Sequence, residues 1–188
     1  ELLNSVVDQA IASWNTIPTS NLTLSRSPDA SVETVTDLLA GTASGVPLIA
    51  CDTNFSGNNN VDPDGVPAGT VFGNGTTLRY SGIILNAEAG TGAEISNFSE
   101  ARLVIILAHE IGHVLGLGHT GNSDALMYFS ISGKETPYLS QDDRDGMTYL
   151  PAQRVCPRRF GLWHTPTGHN NAGRTLGGAR ELVPRFFR

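Results

Sequence analysis

The sequence predicts an α+β fold, with amphipathic helices placed before, between and after a group of short strands. Apolar residues recur at three- and four-residue spacing near the start of the chain, which places one apolar stripe on a helix. Short apolar runs between clusters of Gly, Pro, Asn and Asp indicate strands. At 188 residues and 39% hydrophobic content, the chain is large enough to bury a core of its own.

The helices and strands of the first half are predicted from this patterning. The first helix covers residues 2–14 and is ended by Pro18, and a second helix covers residues 32–39 and is closed by Gly41. The strand candidates share apolar runs bounded by turn residues, and they cover residues 22–24, 46–51, 66–72 and 78–86.

Turn residues and helix caps mark the remaining boundaries. Residues 54–65 are dense in Asn, Gly, Asp and Pro and are predicted to form a loop, while Gly73-Asn74-Gly75 suits a tight reversal between two strands. Asn97, with Glu100 three residues later, resembles a capping box that opens a helix through the most apolar stretch of the chain. Residues 139–150 form the last predicted helix, with acidic residues in the first turn, where the helix dipole favours them.

Three histidines and one glutamate lie within eleven residues of the central helix region. On a helix, a four-residue spacing returns to nearly the same face, so His109 and His113 are predicted to bind one metal ion. Glu110 would then lie beside the vacant coordination position of that ion. His119 is the third imidazole of the group.

Two glycines supply the turn that a straight helix cannot make. Gly116 and Gly118 would let the backbone leave the helix and bring His119 back toward the other two histidines. Three histidines leave one position of a zinc ion for water, which is typical of catalytic sites, whereas structural sites use four protein ligands. A structural zinc site, and histidines in ordinary core or surface positions, remain open as other interpretations.

Two motifs resemble those of a known family. The segment from His109 to His119 resembles the HExxHxxGxxH motif of the metzincins, and Ala125-Leu126-Met127-Tyr128 resembles their Met-turn. Thr120, which follows the third histidine, is similar to the matrixin branch. The resemblance covers about residues 1–150 and implies the metzincin (zincin-like) fold, with a twisted mixed β-sheet, three main helices and an active-site cleft between N-terminal and C-terminal subdomains.

The resemblance also implies a function and a set of site residues. The protein would be a secreted, extracellular zinc endopeptidase that acts as a monomer on protein or peptide substrates. His109, His113 and His119 would bind Zn²⁺, Glu110 would be the general base and acid, and Met127 would pack beneath the ligands, as an ordinary core methionine also would. An edge strand and a hydrophobic pocket for the residue after the cleaved bond (S1′) would bind substrate through Val66, Pro67, Ala68, Gly69, Thr70, Tyr128 and Phe129, with Ile131 also in the pocket.

The sequence departs from the family pattern at several points. No histidine precedes His109, so the second, structural zinc of vertebrate-type matrixins is expected to be absent. Phe129 stands where astacins place a tyrosine. Calcium is common among matrixins, but the polar residues of the predicted loop do not fit an EF-hand spacing, so Ca²⁺ rests on the resemblance alone and a solvated loop is the other interpretation. These polar residues are Asn58, Asn60, Asp62 and Asp64.

Charge divides the chain into two unequal parts. Residues 1–150 carry five Lys or Arg against seventeen Asp or Glu, a net charge of −12, while residues 151–188 carry seven against one, a net charge of +6. The acidic body argues against nucleic-acid binding, and the longest apolar stretch is too short to cross a membrane. We therefore predict a catalytic domain over residues 1–150 and a basic Pro/Gly/Arg-rich extension over residues 151–188. Cys51 and Cys156 are either a disulfide pair or unrelated thiols.

Other functions remain to be weighed against a peptidase. The chain could be a metzincin of another branch, a zinc hydrolase that acts on something other than peptide bonds, or a zinc-containing binding module that has lost catalysis. Glu110 argues against the binding module, because a pure binding site has no use for an unligated carboxylate beside an open metal position.

Overall fold

A computed structural model describes residues 2–20, 22–27, 46–72, 81–149 and 158–162 of the protein. The predicted helix over residues 32–39 and the predicted reversal at residues 73–75 lie outside the described residues. The elements in chain order are α1 (Leu2–Trp14), β1 (Leu24–Arg26), β2 (Leu48–Asp52), α2 (Phe55–Asn59), β3 (Ala68–Phe72), β4 (Ser81–Asn86), α3 (Glu100–Leu115), α4 (Gln141–Tyr149) and β5 (Arg158–Leu162).

The strands form one mixed sheet with the order β1-β5-β2-β4-β3. Pairing is parallel from β1 through β5 and β2 to β4, and β3 alone of these strands runs antiparallel, with Thr70 opposite Ile83. Because β3 stands at the end of the order, it is an edge strand of the described sheet. The predicted α+β fold with a mixed sheet is confirmed.

Helix α3 is the centre of the core. Every residue from Leu103 to Leu115 is buried, which is the pattern of a helix surrounded by protein on all sides. Helix α1 packs against it through its predicted apolar stripe, in which Val6, Val7 and Ile11 are buried. The indole N–H of Trp14 donates a hydrogen bond of 2.8 Å to the carbonyl oxygen of Ala108, so α1 fixes the helix just before the histidine pair.

The predicted loop over residues 54–65 is wrong in one part, because Phe55–Asn59 forms the short helix α2. The cause is a long-range contact that local composition does not reveal. Glu88, which follows β4, accepts hydrogen bonds from the backbone N–H of Ser56 at 2.7 Å and from its hydroxyl at 2.9 Å. A carboxylate from another segment thus satisfies one of the free N–H groups at the start of the helix.

The predicted cap of the central helix is also wrong by two residues. Asn97 ends a short 3₁₀ turn, and its side chain donates to the carbonyl oxygen of Thr91 at 3.0 Å. Ser99 is the N-cap, since its hydroxyl accepts from the backbone N–H of Arg102 at 3.3 Å. A competing hydrogen bond therefore engages the side chain of Asn97, and the next residue with a capping hydroxyl takes the role.

The basic extension contributes a strand that its composition does not predict. Strand β5 lies between β1 and β2 and pairs parallel with both. The division into a domain over residues 1–150 and an extension stays a prediction. Burial raises the pKa of the Cys51 thiol to about 11, while Cys156 lies outside the described residues. None of the helices in the described part of the chain is both long and apolar enough to cross a membrane.

Candidate metal centre

The last turns of α3 and the segment after it bring three imidazoles together. The Nε2 atoms of His109 and His113 are 3.1 Å apart, and the Nε2 atom of His119 lies 3.2 Å from each. Gly116 makes this convergence possible, because as the C-cap of α3 it has φ of 105°, a left-handed conformation that favours glycine. Of the two glycines predicted to allow this turn, only Gly116 has a positive φ.

Hydrogen bonds to carbonyl oxygens fix the tautomers of two of these rings. His109 Nδ1 lies 2.8 Å from the carbonyl oxygen of Leu126, and His113 Nδ1 lies 2.8 Å from that of Leu117. A carbonyl oxygen only accepts, so both Nδ1 atoms carry the proton and both Nε2 atoms present lone pairs to each other. A cation between the nitrogens removes the repulsion between these lone pairs.

The spacing of the nitrogens fits zinc. Zinc–nitrogen bonds of about 2.0–2.1 Å at tetrahedral angles place the ligand nitrogens about 3.3–3.4 Å apart. The observed separations of 3.1–3.2 Å are close to this value. In the described residues, these three histidines are the one group of His, Cys, Asp or Glu side chains arranged to hold a metal ion.

Burial keeps the imidazoles of His109 and His113 in the state that binds metal. It lowers the pKa of His109 to about 4, mainly because a charged ring would lose its hydration, and it lowers the pKa of His113 in the same way. Neutral imidazole is the ligand form of histidine. At neutral pH the two rings are therefore ready to bind metal without releasing a proton.

Glu110 lies one residue after the first ligand and is itself buried. Its Oε2 atom is 2.7 Å from the hydroxyl of Thr70, which also lies 3.0 Å from the backbone carbonyl oxygen of Glu110. Burial raises the pKa of the Glu110 carboxyl, against the lowering effect of His113 and Thr70. Thr70, which the sequence placed among the substrate-binding residues, thus connects the edge strand to the carboxylate.

Met127 packs directly against helix α3. It is buried, and it faces Gly112, where an added Cβ would overlap its Sδ atom and lie 2.9 Å from Trp14 Cζ2. The predicted packing position of Met127 beneath the histidines therefore depends on the absence of a side chain at Gly112. Gly112 stands between two predicted metal ligands, and its spacing alone does not indicate this packing role.

Asp143 is a site residue that the sequence reasoning missed. Its buried carboxylate accepts hydrogen bonds from the backbone N–H groups of Leu126 at 2.8 Å, Met127 at 3.0 Å and Ser140 at 2.8 Å. The N–H of Met127 and the carbonyl oxygen of Leu126 belong to one peptide unit, so Asp143 holds in place the group that orients His109. The only sequence signal was an acidic residue in the first turn of α4, which the helix dipole explained without reference to the site.

A cleft of about 940 Å³ runs past the histidines. One wall comes from the segment that leads into β3, and the other comes from residues 129–132 after the Met-turn, while α3 forms the base. Of the predicted substrate-binding residues, those that line the cleft are Val66, Pro67, Ala68, Gly69, Thr70 and Phe129. Tyr128 is half-buried outside this lining, and its ring lies 4.4 Å from that of Phe129. Ile131 lines the cleft, as the sequence predicted.

The polar residues considered for calcium hold the α2 segment and the loop after it. Asn58 donates to the carboxylate of Asp52, Asp62 accepts from the backbone N–H of Asp64 at 3.0 Å, and Asp64 accepts from that of Gly92 at 2.6 Å. In the contacts of Asp62 and Asp64, a carboxylate accepts a hydrogen bond from the backbone of a loop. In the described residues, no group of three or more Asp or Glu side chains is arranged to hold a metal ion, and Ca²⁺ stays a prediction.

Comparisons with known proteins identify the family of the chain. The matrixin family model matches residues 49–151, more than half of the chain. Interstitial collagenase of Bos taurus is 47% identical over 60 residues, which are 31% of this chain and 13% of the collagenase.

Two further relatives are also similar to this chain over a short segment. Metalloendoproteinase 5-MMP of Arabidopsis thaliana is 46% identical over 46 residues, 24% of this chain and 13% of that protein. Stromelysin-1 of Rattus norvegicus is 47% identical over 51 residues, 26% of this chain and 11% of that protein. The matched segments thus span only about an eighth of the length of these relatives. The match to the family model extends beyond them and covers every candidate site residue, and the chain therefore belongs to the matrixin family.

Proposed function

We propose that this protein is a zinc-dependent endopeptidase that hydrolyses internal peptide bonds of extracellular proteins. The observation that carries the proposal is the convergence of three imidazole nitrogens within 3.2 Å of one another beside a buried carboxylate. Family membership supports a metalloendopeptidase. We further propose that the metal is zinc, and we propose the role of each site residue and the class of substrate.

His109, His113 and His119 would hold the zinc ion through their Nε2 atoms. When bound, zinc lowers the pKa of water toward about 7 and polarises a carbonyl oxygen. The backbone carbonyl groups of Leu117 and Leu126 hold the first two rings in the orientation that this binding needs. Asp143 in turn fixes the peptide unit of Leu126.

Glu110 would accept the proton of the attacking water and return it to the departing amine. Its burial raises its pKa, which brings the proton affinity of the carboxylate closer to that needed for transfer near neutral pH. The Thr70 hydroxyl donates to Oε2 and restrains the carboxylate, which leaves Oε1 for a second partner. No covalent intermediate with the protein is required.

An extended peptide would bind along β3. This strand lies at the edge of the described sheet and its residues Ala68, Gly69 and Thr70 line the cleft, so a peptide can add as a further strand through main-chain hydrogen bonds. Phe129 lines the opposite wall and is 61% exposed, which makes it an apolar contact for a substrate side chain. Tyr128 would act indirectly, by packing against Phe129.

The proposal extends to the setting of the enzyme. We assign catalysis to residues 1–150 acting as a monomer, since every residue of the site lies within them, and we place the protein outside the cell by analogy with its relatives.

A catalytically inactive zinc-binding module is the main alternative. Glu110 counts against it, because its carboxylate is buried at a cost and serves no structural salt bridge in the described residues.

Substituting Glu110 with Gln tests the catalytic assignment. The variant retains the shape of the side chain and an oxygen for the Thr70 hydroxyl, so it should bind zinc as the original protein does. Its hydrolysis of a fluorogenic peptide should fall by about 10² to 10⁴, the usual contribution of general acid and base catalysis. Glu135→Gln, which changes an exposed carboxylate, is the matched control. Undiminished cleavage by the Glu110 variant would refute the assignment.

A further inference from the structure

We propose that Arg102 is a positioning residue that fixes one wall of the cleft and so limits the length of the substrate side chain that enters it. The inference rests on the proposed function, because the cleft has a specificity only if a peptide binds there. Arg102 lies in the first turn of α3, half-buried, and lines the cleft.

Arg102 stands at a defined distance from the candidate metal centre. Arg102, Ile106 and His109 are separated by four and three residues, so they follow one face of α3, and all three line the cleft. Seven residues of helix correspond to a rise of about 10 Å. Arg102 therefore lies about two helical turns from His109 along the face of α3 that lines the cleft.

The side chain bridges α3 to the opposite wall. Its Nη1 atom donates hydrogen bonds to the carbonyl oxygens of Ile131 at 2.6 Å and Lys134 at 3.2 Å. These residues begin and end a tight turn, in which the N–H of Lys134 bonds to the carbonyl oxygen of Ile131 at 3.2 Å and Gly133 has φ of 77°. Ile131 and Ser132 of this 131–134 turn line the cleft.

The hydrogen bonds of this bridge are of a kind that holds the Arg102 side chain in one position. Hydrogen bonds from a guanidinium are charge-assisted and about twice as strong as those between neutral groups. In the described part of the chain, no carboxylate forms an ion pair with Arg102. The hydrogen bonds of its side chain go to the carbonyl oxygens of Ile131 and Lys134. The Arg102 side chain therefore spans the space between α3 and the 131–134 turn.

Lys134 provides an internal control. Its Nζ atom donates to the carbonyl oxygen of Ser123 at 2.8 Å, so it also anchors the 131–134 turn, but its side chain does not line the cleft. Removing this second anchor weakens the same turn without opening the end of the cleft. A change that is specific to Arg102 is thereby separated from general loosening of the segment.

Peptides that differ only at the residue after the cleaved bond test the proposal. Zinc-loaded Arg102→Met should raise the ratio of kcat/KM for a long aromatic side chain, such as biphenylalanine, to that for leucine by about fivefold or more, mainly through KM. Arg102→Lys keeps a cationic hydrogen-bond donor but lacks the planar guanidinium group, so it should give an intermediate ratio. Lys134→Met should leave the ratio of the original protein. An unchanged ratio in Arg102→Met, or an equal change in Lys134→Met, would overturn the inference.

Hydrogen exchange of the zinc-free protein gives a readout that does not depend on activity. Amide exchange over residues 129–135 should become faster in Arg102→Met and have an intermediate rate in Arg102→Lys. If the original protein cleaves none of the peptides, the proposed function fails, and exchange alone decides whether Arg102 holds the turn. If the original protein cleaves them and both measurements are unchanged in Arg102→Met, only the role of Arg102 is lost.

Discussion

At the scale of single residues, the candidate site divides into a part that spacing reveals and a part that only folding brings together. His109, Glu110 and His113 share one helix, so their geometry follows from the helical repeat. Asp143 and Thr70 reach the same site from other elements, through contacts across 17 and 40 residues of sequence. Local sequence carries no signal for such pairs, because the same residue types are common on exposed surfaces.

Asp143→Asn is expected to weaken zinc binding although Asp143 does not touch the metal position. Asn offers one acceptor oxygen where the carboxylate offers two, so at least one N–H of Leu126 or Met127 loses its partner and the carbonyl group that orients His109 shifts. Loss of such outer contacts lowers metal affinity by about 10- to 100-fold. Competition with a chromophoric chelator measures the affinity.

Asp142→Asn is the control for this experiment, since Asp142 is the exposed neighbour in the same helical turn. Both variants lose one negative charge, so a purely electrostatic effect of net charge would weaken zinc binding equally in the two. Equal affinities in the two variants and the original protein would remove Asp143 from the site.

At the scale of elements, the strongly patterned segments were predictable and those that depend on distant partners were not. The apolar stripe of α1 and the run within α3 specify buried helices by themselves. Helix α2 needs the carboxylate of Glu88, which follows another strand, and β5 needs the neighbours β1 and β2. Composition alone therefore assigned both segments to irregular structure.

The packing of α3 on the Met-turn makes Gly112→Ala a severe substitution. The new Cβ would overlap the sulfur of Met127 and approach the ring of Trp14, and overpacking of this kind costs about 1–3 kcal/mol. The free energy of unfolding, measured in urea on the zinc-free protein, should fall by that amount. Gly118→Ala is the control, because a Cβ there meets no atom within 4 Å and the backbone has no positive φ. Equal stability of the two variants would contradict the packing described.

At the scale of the whole molecule, the acidic body and the basic extension are connected through the sheet. The order β1-β5-β2 places a strand of the extension between two strands of the body. Every residue of the candidate site nevertheless lies outside β5. Stability and metal binding should therefore respond differently to removal of this strand.

A chain that ends at residue 157 should unfold at a lower temperature than one that ends at residue 162. The two differ only by β5, and without it the facing edges of β1 and β2 lose the pairing recorded in the sheet. Zinc should still bind to both chains at one equivalent. Differential scanning calorimetry compares the two unfolding temperatures, and coincident transitions would show that β5 adds nothing to the stability of the sheet.

We propose that three imidazoles hold one zinc ion and leave a coordination position open. X-ray absorption at the zinc edge, on protein loaded with one equivalent of zinc, measures the ligands directly. We expect three imidazole nitrogens at about 2.0–2.1 Å and one further light atom. A sulfur ligand, fewer than three imidazoles, or a fourth protein imidazole would contradict it.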